Sequence, residues 1–298
     1  MSILSAILQA IIQGITEFLP ISSSGHLSLY QHFTGNSGEG ALMFSALLHL
    51  GTLVAVFTVF RRQIYELFTE FIYMVKDIFT GRFSVKNASP GRRLLFMYII
   101  STAMLIPFAL FKGMFESFSE DSSILMEGIC FLYTSAILFM ADRVKKGGKR
   151  SANIKYKDAV TIGFFQGVAL LPGVSRSGST ISAGQFCGLT RQTAVSYSFI
   201  LGIPAILAGC IVEVKDGIGK ETGVGFLPCL IGFIVAAIVG FLAIKLVQAL
   251  MKSDKFKVFW IYTAVLGVVV IIIAIIELAI GHPLVIPAGQ AAADIPVA

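Results

Sequence analysis

Charge is scarce in this 298-residue chain. Only 13% of its residues are Asp, Glu, Lys or Arg, about half of the roughly 25% usual in a soluble globular protein. Tryptophan occurs once, although phenylalanine occurs 25 times. There is no zinc finger, no interleaving of aromatic and basic residues and no other nucleic-acid module. The net charge of +6 therefore does not point to DNA or RNA, and anionic lipid headgroups are a sufficient partner for it. The four cysteines, Cys130, Cys187, Cys210 and Cys229, form no CxxC pair and lie in or beside apolar runs. They read as inert buried thiols, silent about redox compartment. The N-terminal MSILSAILQAIIQGITEF lacks the basic start and small-residue cleavage site of a signal peptide, so it is expected to belong to the mature chain.

What is abundant is apolar surface: 56% of residues are hydrophobic and the mean hydropathy is +0.84. Six apolar runs, roughly 41–60, 94–111, 123–141, 193–214, 224–250 and 256–280, approach the ~20 residues that a helical crossing requires. Packing six such runs inside a soluble core would demand a far larger chain. Basic residues set the orientation. They crowd the segments 61–93, 142–158 and 251–257, which should face the cytoplasm. The connections 112–121 and 214–223 are acidic or balanced and should lie outside, as should the tail 281–298.

Residues 3–33 and 158–190 do not fit as simple spans. Each pairs two short helix signals across a break rich in Pro, Ser and Gly. A re-entrant hairpin, shielded by protein or lining a wet cavity, explains both. The two are related. QGITEFLPISSSGH (Gln13 to His26) and QGVALLPGVSRSGS (Gln166 to Ser179) repeat at an offset of about 153 residues, with a one-residue gap at Leu-Pro. The charge pattern places the halves, about 1–141 and 158–280, in opposite orientations. The expected fold is thus an all-α polytopic membrane protein forming one integral domain. It has about six full transmembrane helices, two re-entrant hairpins and an inverted-topology repeat, with a site where the broken helices meet.

The facing hairpins carry the chemistry. Glu17 is a carboxylate in an apolar context, costly unless it serves a purpose. Gln13 lies four residues earlier, on the same helical face. Together they could hold a divalent cation through oxygen ligands, or orient a water or hydroxyl. Glu17 is a candidate proton acceptor; bracing the hairpin against an arginine is the plainer alternative. Ser22, Ser23 and Ser24, next to Gly25 and His26, suit nucleophilic phosphoryl transfer, and the Ser-Gly turn can offer N–H groups to phosphate oxygens. One of these serines is expected simply to cap the helix beginning near Gly25. His26 could act as a base, an acid or a phosphate contact, or be structural. Arg176, flanked by Ser175, Ser177 and Gly178, is the only basic residue between Asp158 and Arg191 and can clamp a diphosphate. His49, Glu127, Lys245 and Glu277 receive no role. Gly202 and Pro204 are candidate local breaks in the run 193–214.

These residues resemble the bacitracin-resistance family of undecaprenyl-diphosphate phosphatases. The resemblance covers nearly the whole chain and rests on QGITEFLPISSSGH and PGVSRSGST (Pro172 to Thr180) in that order. It implies removal of the terminal phosphate of undecaprenyl diphosphate, regenerating the monophosphate carrier of cell-wall synthesis and conferring bacitracin resistance. It implies a site facing the outer side of the bacterial cytoplasmic membrane, and dependence on Mg²⁺ or Ca²⁺. By motif position, Glu17 matches the family's essential second acidic residue. Gln13 stands where many members have Glu, and Ser24 where Thr is common. Ser22, Ser23, His26 and Arg176 match its catalytic motifs. Ser23, His26 and a metal-activated water remain alternative nucleophiles. A transporter or flippase for a polyprenyl phosphate lipid is the competing function, and a homo-oligomer is compatible with the sequence.

Overall fold

Among the described residues every regular element is a helix, and the two short pairs break at Pro, Ser and Gly clusters. The computed structural model describes residues 1–34, 41–111, 113, 123–217, 224–253 and 255–284. Of the expected outer connections and tail, residues 112, 114–121, 218–223 and 285–298 lie outside these residues, while 214–217 belong to the last described helix before that gap. Two short helices come first, α1 (Ile3–Thr16) and α2 (Ser23–Thr34). Then follow α3 (Ala41–Val59), α4 (Arg61–Phe79), α5 (Pro90–Ala103), α6 (Leu105–Ala109) and α7 (Leu125–Arg143). A second short pair is α8 (Tyr156–Val168) and α9 (Arg176–Phe186), followed by the long α10 (Arg191–Gly217), α11 (Phe226–Lys252) and α12 (Lys257–Ile280). Local chemistry sets several boundaries. Ser2 caps α1, Ser89 caps α5 with Pro90 in its first turn, and Gly281 closes α12 in the left-handed region at φ 74°.

Among the described residues five helices are long and apolar enough to cross a membrane, with α5 and α6 counted together, or six if the bent pair α3–α4 counts as one span. The protein is therefore a polytopic, all-α membrane protein. Large apolar side chains such as Ile211, Phe226, Leu242 and Ile272 are exposed along these helices, as a lipid solvent allows. The helix α10 runs through Pro204 without interruption, so the break suggested by Gly202 and Pro204 does not occur. The run expected from residue 94 begins earlier, at Pro90, and is divided at Met104.

The segment 61–93, read from its charges as a loop, opens with the 19-residue helix α4, turned 91° from α3. Counting charges hid its apolar face: Tyr65, Phe68, Ile72 and Phe79 are exposed, Phe79 at 86%. Alternating apolar and charged faces are the composition of a helix lying in the membrane interface. Arg92 holds it against α5, 3.3 Å from Glu70 and 2.5 Å from Asp77, while Ser89 donates to Glu70 at 2.6 Å.

The packing places the short pairs at the centre. Helix α1 lies on α11, and α8 lies on α5. Long helices also pair directly, α3 with α10 and α7 with α12. The contacts are close because glycines face backbone. A Cβ at Gly163 of α8 would stand 2.6 Å from the carbonyl oxygen of Ser101 and 2.8 Å from the Cβ of Met104. Small residues at such crossings let helices approach where water supplies no hydrophobic drive between them. We predict that Gly163→Val lowers the thermal midpoint in detergent by an amount corresponding to about 1–3 kcal/mol of overpacking. Gly209→Ala, where an added Cβ meets nothing within 4 Å, should leave the midpoint unchanged or slightly raised.

Candidate active site

The turns between α1 and α2 and between α8 and α9 are built alike and face each other. Ser22 caps α2, its hydroxyl accepting from Gly25 N at 3.2 Å; Ser175 caps α9, accepting from Gly178 N at 3.0 Å. The first backbone bonds correspond as well, from His26 N to Ser22 O at 3.3 Å and from Ser179 N to Ser175 O at 2.9 Å. Ser22 has φ 75°, the only positive φ outside glycine among the described residues. In an L-residue that conformation stores strain and tends to mark functional turns. Two reciprocal bonds staple the turns. Gly173 N donates to Ser24 Oγ at 3.2 Å, and Ser177 Oγ donates to the Leu19 carbonyl at 3.2 Å.

This repetition puts Ser23 and Arg176 in equivalent places, each the first residue of its helix, and both reach Glu17. The Arg176 guanidinium donates to Glu17 Oε1 at 2.6 Å. The other oxygen, Oε2, accepts from Ser23 Oγ at 2.8 Å and from Gln13 Nε2 at 3.0 Å. His49 Nε2 stands 3.7 Å from the same oxygen. The carboxylate is 6% exposed, so it depends on these donors for the solvation that water would otherwise give. A nucleophile within hydrogen-bond reach of a base is the arrangement required for hydroxyl activation.

A cavity of about 190 Å³ opens on this cluster, lined by Glu17, Ser23, Ser24, Ser175, Arg176 and Ser177. Apolar positions of α10, among them Ile206 and Gly209, form another wall. At a liquid share of ~30 Å³ per water, it has room for a phosphate-sized headgroup and a few waters, but not for a long hydrocarbon chain.

Other expected residues sit behind this surface. Gln13 is fully buried and braces Glu17. Ser22, Gly25 and Gly178 shape the turns and do not line the cavity. His26 faces away from it. Its Nδ1 lies 2.6 Å from the Ser22 carbonyl and its Nε2 2.8 Å from Tyr262 Oη, with the two rings stacked. A carbonyl only accepts, so Nδ1 carries the proton and Nε2 accepts from the tyrosine.

Sequence reasoning missed three residues here. His49, noticed but given no role, and Glu213 both line the cavity. Ser45 links them, 3.4 Å from His49 Nδ1 and 3.3 Å from Glu213 Oε1. Glu213 escaped because it stands beside a charged connection, where a carboxylate draws no notice. The third is Gly202. A Cβ there would fall on the Arg176 guanidinium, so this glycine makes the slot in α10 that the arginine occupies.

A model of the family described as bacitracin resistance protein BacA matches residues 6–269. The chain belongs to this family. It is 38% identical over 281 residues to the undecaprenyl-diphosphatase of Alkaliphilus metalliredigens, covering 93% of this chain and 100% of that relative. It is 39% identical over 274 residues to the undecaprenyl-diphosphatase of Methanobrevibacter smithii, covering 91% and 97% respectively.

The slot at Gly202 yields a test by non-additivity. Gly202→Ala should displace the guanidinium and leave Glu17 a buried charge without its cation, a defect that costs about 3–5 kcal/mol when a buried pair is broken. The expected result is a lowered thermal midpoint for Gly202→Ala alone and a much smaller further loss when it is added to Arg176→Ala.

Proposed function

We propose that this protein hydrolyses undecaprenyl diphosphate to undecaprenyl phosphate and inorganic phosphate, recycling the lipid carrier of cell-wall synthesis and thereby conferring bacitracin resistance. The observation that carries the reading is the joint approach of Ser23 Oγ at 2.8 Å and the Arg176 guanidinium at 2.6 Å to one buried carboxylate. The names of the relatives supply the substrate. The cavity supplies a chemical reason: hydroxyl, base and anion clamp face one small space.

In this reading Arg176 leaves Glu17 for the incoming diphosphate, whose negative charge and several oxygens offer it a better partner. Ser23 Oγ attacks the terminal phosphorus as its proton passes to Glu17. The bond from that phosphorus to the bridging oxygen breaks, and the lipid monophosphate leaves. Glu17 gives that proton up to the departing monophosphate; water then attacks the phosphoserine as Glu17 takes its proton, the bond from phosphorus to Ser23 Oγ breaks, Glu17 returns the proton to that oxygen, and inorganic phosphate departs. Arg176 and the N–H groups at the start of α9 offset the charge that develops on the phosphoryl oxygens. His26, with both ring nitrogens engaged away from the cavity, supports the Ser22–Ser23 turn. It is less well placed than Ser23 to be the nucleophile.

A divalent cation, Mg²⁺ or Ca²⁺, would fit modestly. Glu17 offers the cavity an oxygen ligand, and Gln13 Oε1, buried behind it without a partner, would give a second once its amide turned toward the cavity. Among the described residues no three His, Cys, Asp or Glu side chains gather into a metal cage. That donor set suits a hard cation completed by substrate phosphates. When bound, the cation would neutralise diphosphate charge.

The architecture proposed with this function has two re-entrant hairpins, α1–α2 and α8–α9, in an inverted repeat. Its support is the reciprocal stapling of the turns and the matched packing: α1 on α11 as α8 on α5, with α3–α10 and α7–α12 as self-matching pairs. The basic segments give sidedness in the bacterial cytoplasmic membrane. The cavity reaches His49, about 12 Å along α3 from its start, and Glu213 near the end of α10. Glu213 lies toward the end that the charge pattern places outside, and His49 lies midway along its helix. The polyprenyl chain would remain among bilayer lipids.

The test is phosphate release from undecaprenyl diphosphate by the purified protein with added Mg²⁺ or Ca²⁺. Release that is lost with a chelator and falls by at least about 10²-fold in Arg176→Ala, the scale of a removed transition-state donor, is the expected result. Absence of release from folded protein, across lipid chain lengths and cations, would shift the reading to transport of a polyprenyl phosphate lipid.

A further inference from the structure

The two turns of the candidate active site differ at their caps. Ser175 caps α9 at φ −71°, whereas Ser22 caps α2 at φ 75°. The residue after each still reaches Glu17. A serine in the left-handed region persists only where its surroundings hold it there. At Ser22 the hold comes from the residue that the repeat aligns with Ser179. In the second turn Ser179 meets its cap carbonyl through the backbone N–H, at 2.9 Å, and its hydroxyl makes no hydrogen bond. In the first turn that residue is His26. Its backbone N–H reaches the Ser22 carbonyl at 3.3 Å, and its ring Nδ1–H donates to the same oxygen at 2.6 Å. The ring therefore makes the shorter of the two bonds.

The ring is itself held from two other helices. Tyr262 of α12 donates from Oη to His26 Nε2 at 2.8 Å, and the rings stack with 5.8 Å between centroids and 9° between planes. Phe131 of α7 meets the imidazole edge-on at 5.2 Å, and its ring tip would stand 2.7 Å from a Cβ on Gly25. Helix α12 is in turn fixed on α7. Ser135 Oγ donates to the Trp260 carbonyl at 2.7 Å, and a Cβ at Gly128 would stand 3.2 Å from the Gly267 carbonyl oxygen. Tyr262 is 43% exposed along α12 and does not line the cavity. A tyrosine near the end of a span is ordinarily an interfacial anchor with its hydroxyl among headgroups; here the hydroxyl engages an imidazole.

We propose that Tyr262 is a positioning residue for the hydrolysis. It holds the His26 ring, the ring holds the Ser22 carbonyl, and the cap so held keeps Ser23 Oγ 2.8 Å from Glu17. The inference rests on the function proposed above, with Ser23 as the nucleophile. By donating to Nε2 the tyrosine also opposes a proton there, so the imidazole keeps its Nδ1–H for the carbonyl. Tyr262 touches no reacting atom, so its loss slows the chemical step and leaves substrate binding alone.

The test is Tyr262→Phe, which removes the hydroxyl and keeps the stacked ring. Phosphate release from undecaprenyl diphosphate, the thermal midpoint in detergent and the ¹⁵N resonances of His26, assigned with His26→Asn, are measured beside the wild type. The expected result is a kcat lowered about tenfold, the rate equivalent of one hydrogen bond, with KM and midpoint unchanged. In the same variant the Nε2 resonance moves to that of an imine nitrogen accepting no hydrogen bond. A purely structural tyrosine would move the midpoint and leave that resonance in place. An unchanged kcat, a raised KM with kcat kept, or a slower rate without the ¹⁵N change would overturn the proposal. So would a wild-type spectrum with Nε2 protonated, which needs no variant. Absence of release from the wild type would instead count against the proposed function, and the proposal would fall with it.

Discussion

One buried charge organises the centre of this protein. Glu17 lies where bulk water cannot solvate it, and an unanswered carboxylate there would cost several kcal/mol. The answer comes from the other half of the chain, in the guanidinium of Arg176, 159 residues away in sequence and 2.6 Å away in space. Forming that bond requires two turns that meet, helices short enough to end at the same depth, and a glycine in α10 to admit the arginine. Gln13, Ser23 and His49 complete the shell around the carboxylate. Such a pair adds little net stability beside an apolar contact of the same size, because desolvation offsets most of its attraction. Its value lies in what can replace it. In the proposed mechanism a diphosphate entering the cavity competes with the carboxylate for the guanidinium and leaves the carboxylate free to accept a proton.

The turns achieve this with ordinary local chemistry used twice. A serine caps each following helix, a glycine three residues later receives that cap, and the residue between them at the first helical position points at Glu17. In one turn that residue is the nucleophile candidate Ser23; in the other it is Arg176. The repeat thus supplies two similar mounts for two different tools, although Ser22 has φ 75° and Ser175 φ −71°. Its strain is concentrated at Ser22, whose carbonyl is held by His26 and, through it, by Tyr262.

Much of this was legible in the sequence, and the reasons differ by element. The long helices announce themselves because lipid-facing helices are apolar all round, as in α11 and α12. The meeting of Glu17 and Arg176 was legible because a carboxylate and an arginine in apolar surroundings each demand a partner, and the repeat placed them opposite each other. Helix α4 was hidden because its charged face mimics a loop when charges alone are counted. Glu213 was hidden by its neighbourhood, and Gly202 by having no side chain to read: its function is the space it leaves. The orientation of His26 was equally out of reach, since Ser-Gly-His gives no sign of whether the ring turns toward the cavity or toward Tyr262.

The central claim is that the Glu17–Arg176 pair both joins the turns and works on substrate, with each group needed in its own place. Exchanging the two, Glu17→Arg with Arg176→Glu, separates these roles. The thermal midpoint and the phosphate release from undecaprenyl diphosphate should be measured for the double variant beside each single one. The account predicts a midpoint restored above both single variants with phosphate release still at background, because the attraction survives while base and clamp are transposed. Recovery of phosphate release in the exchanged protein would contradict it and reduce the pair to a structural brace.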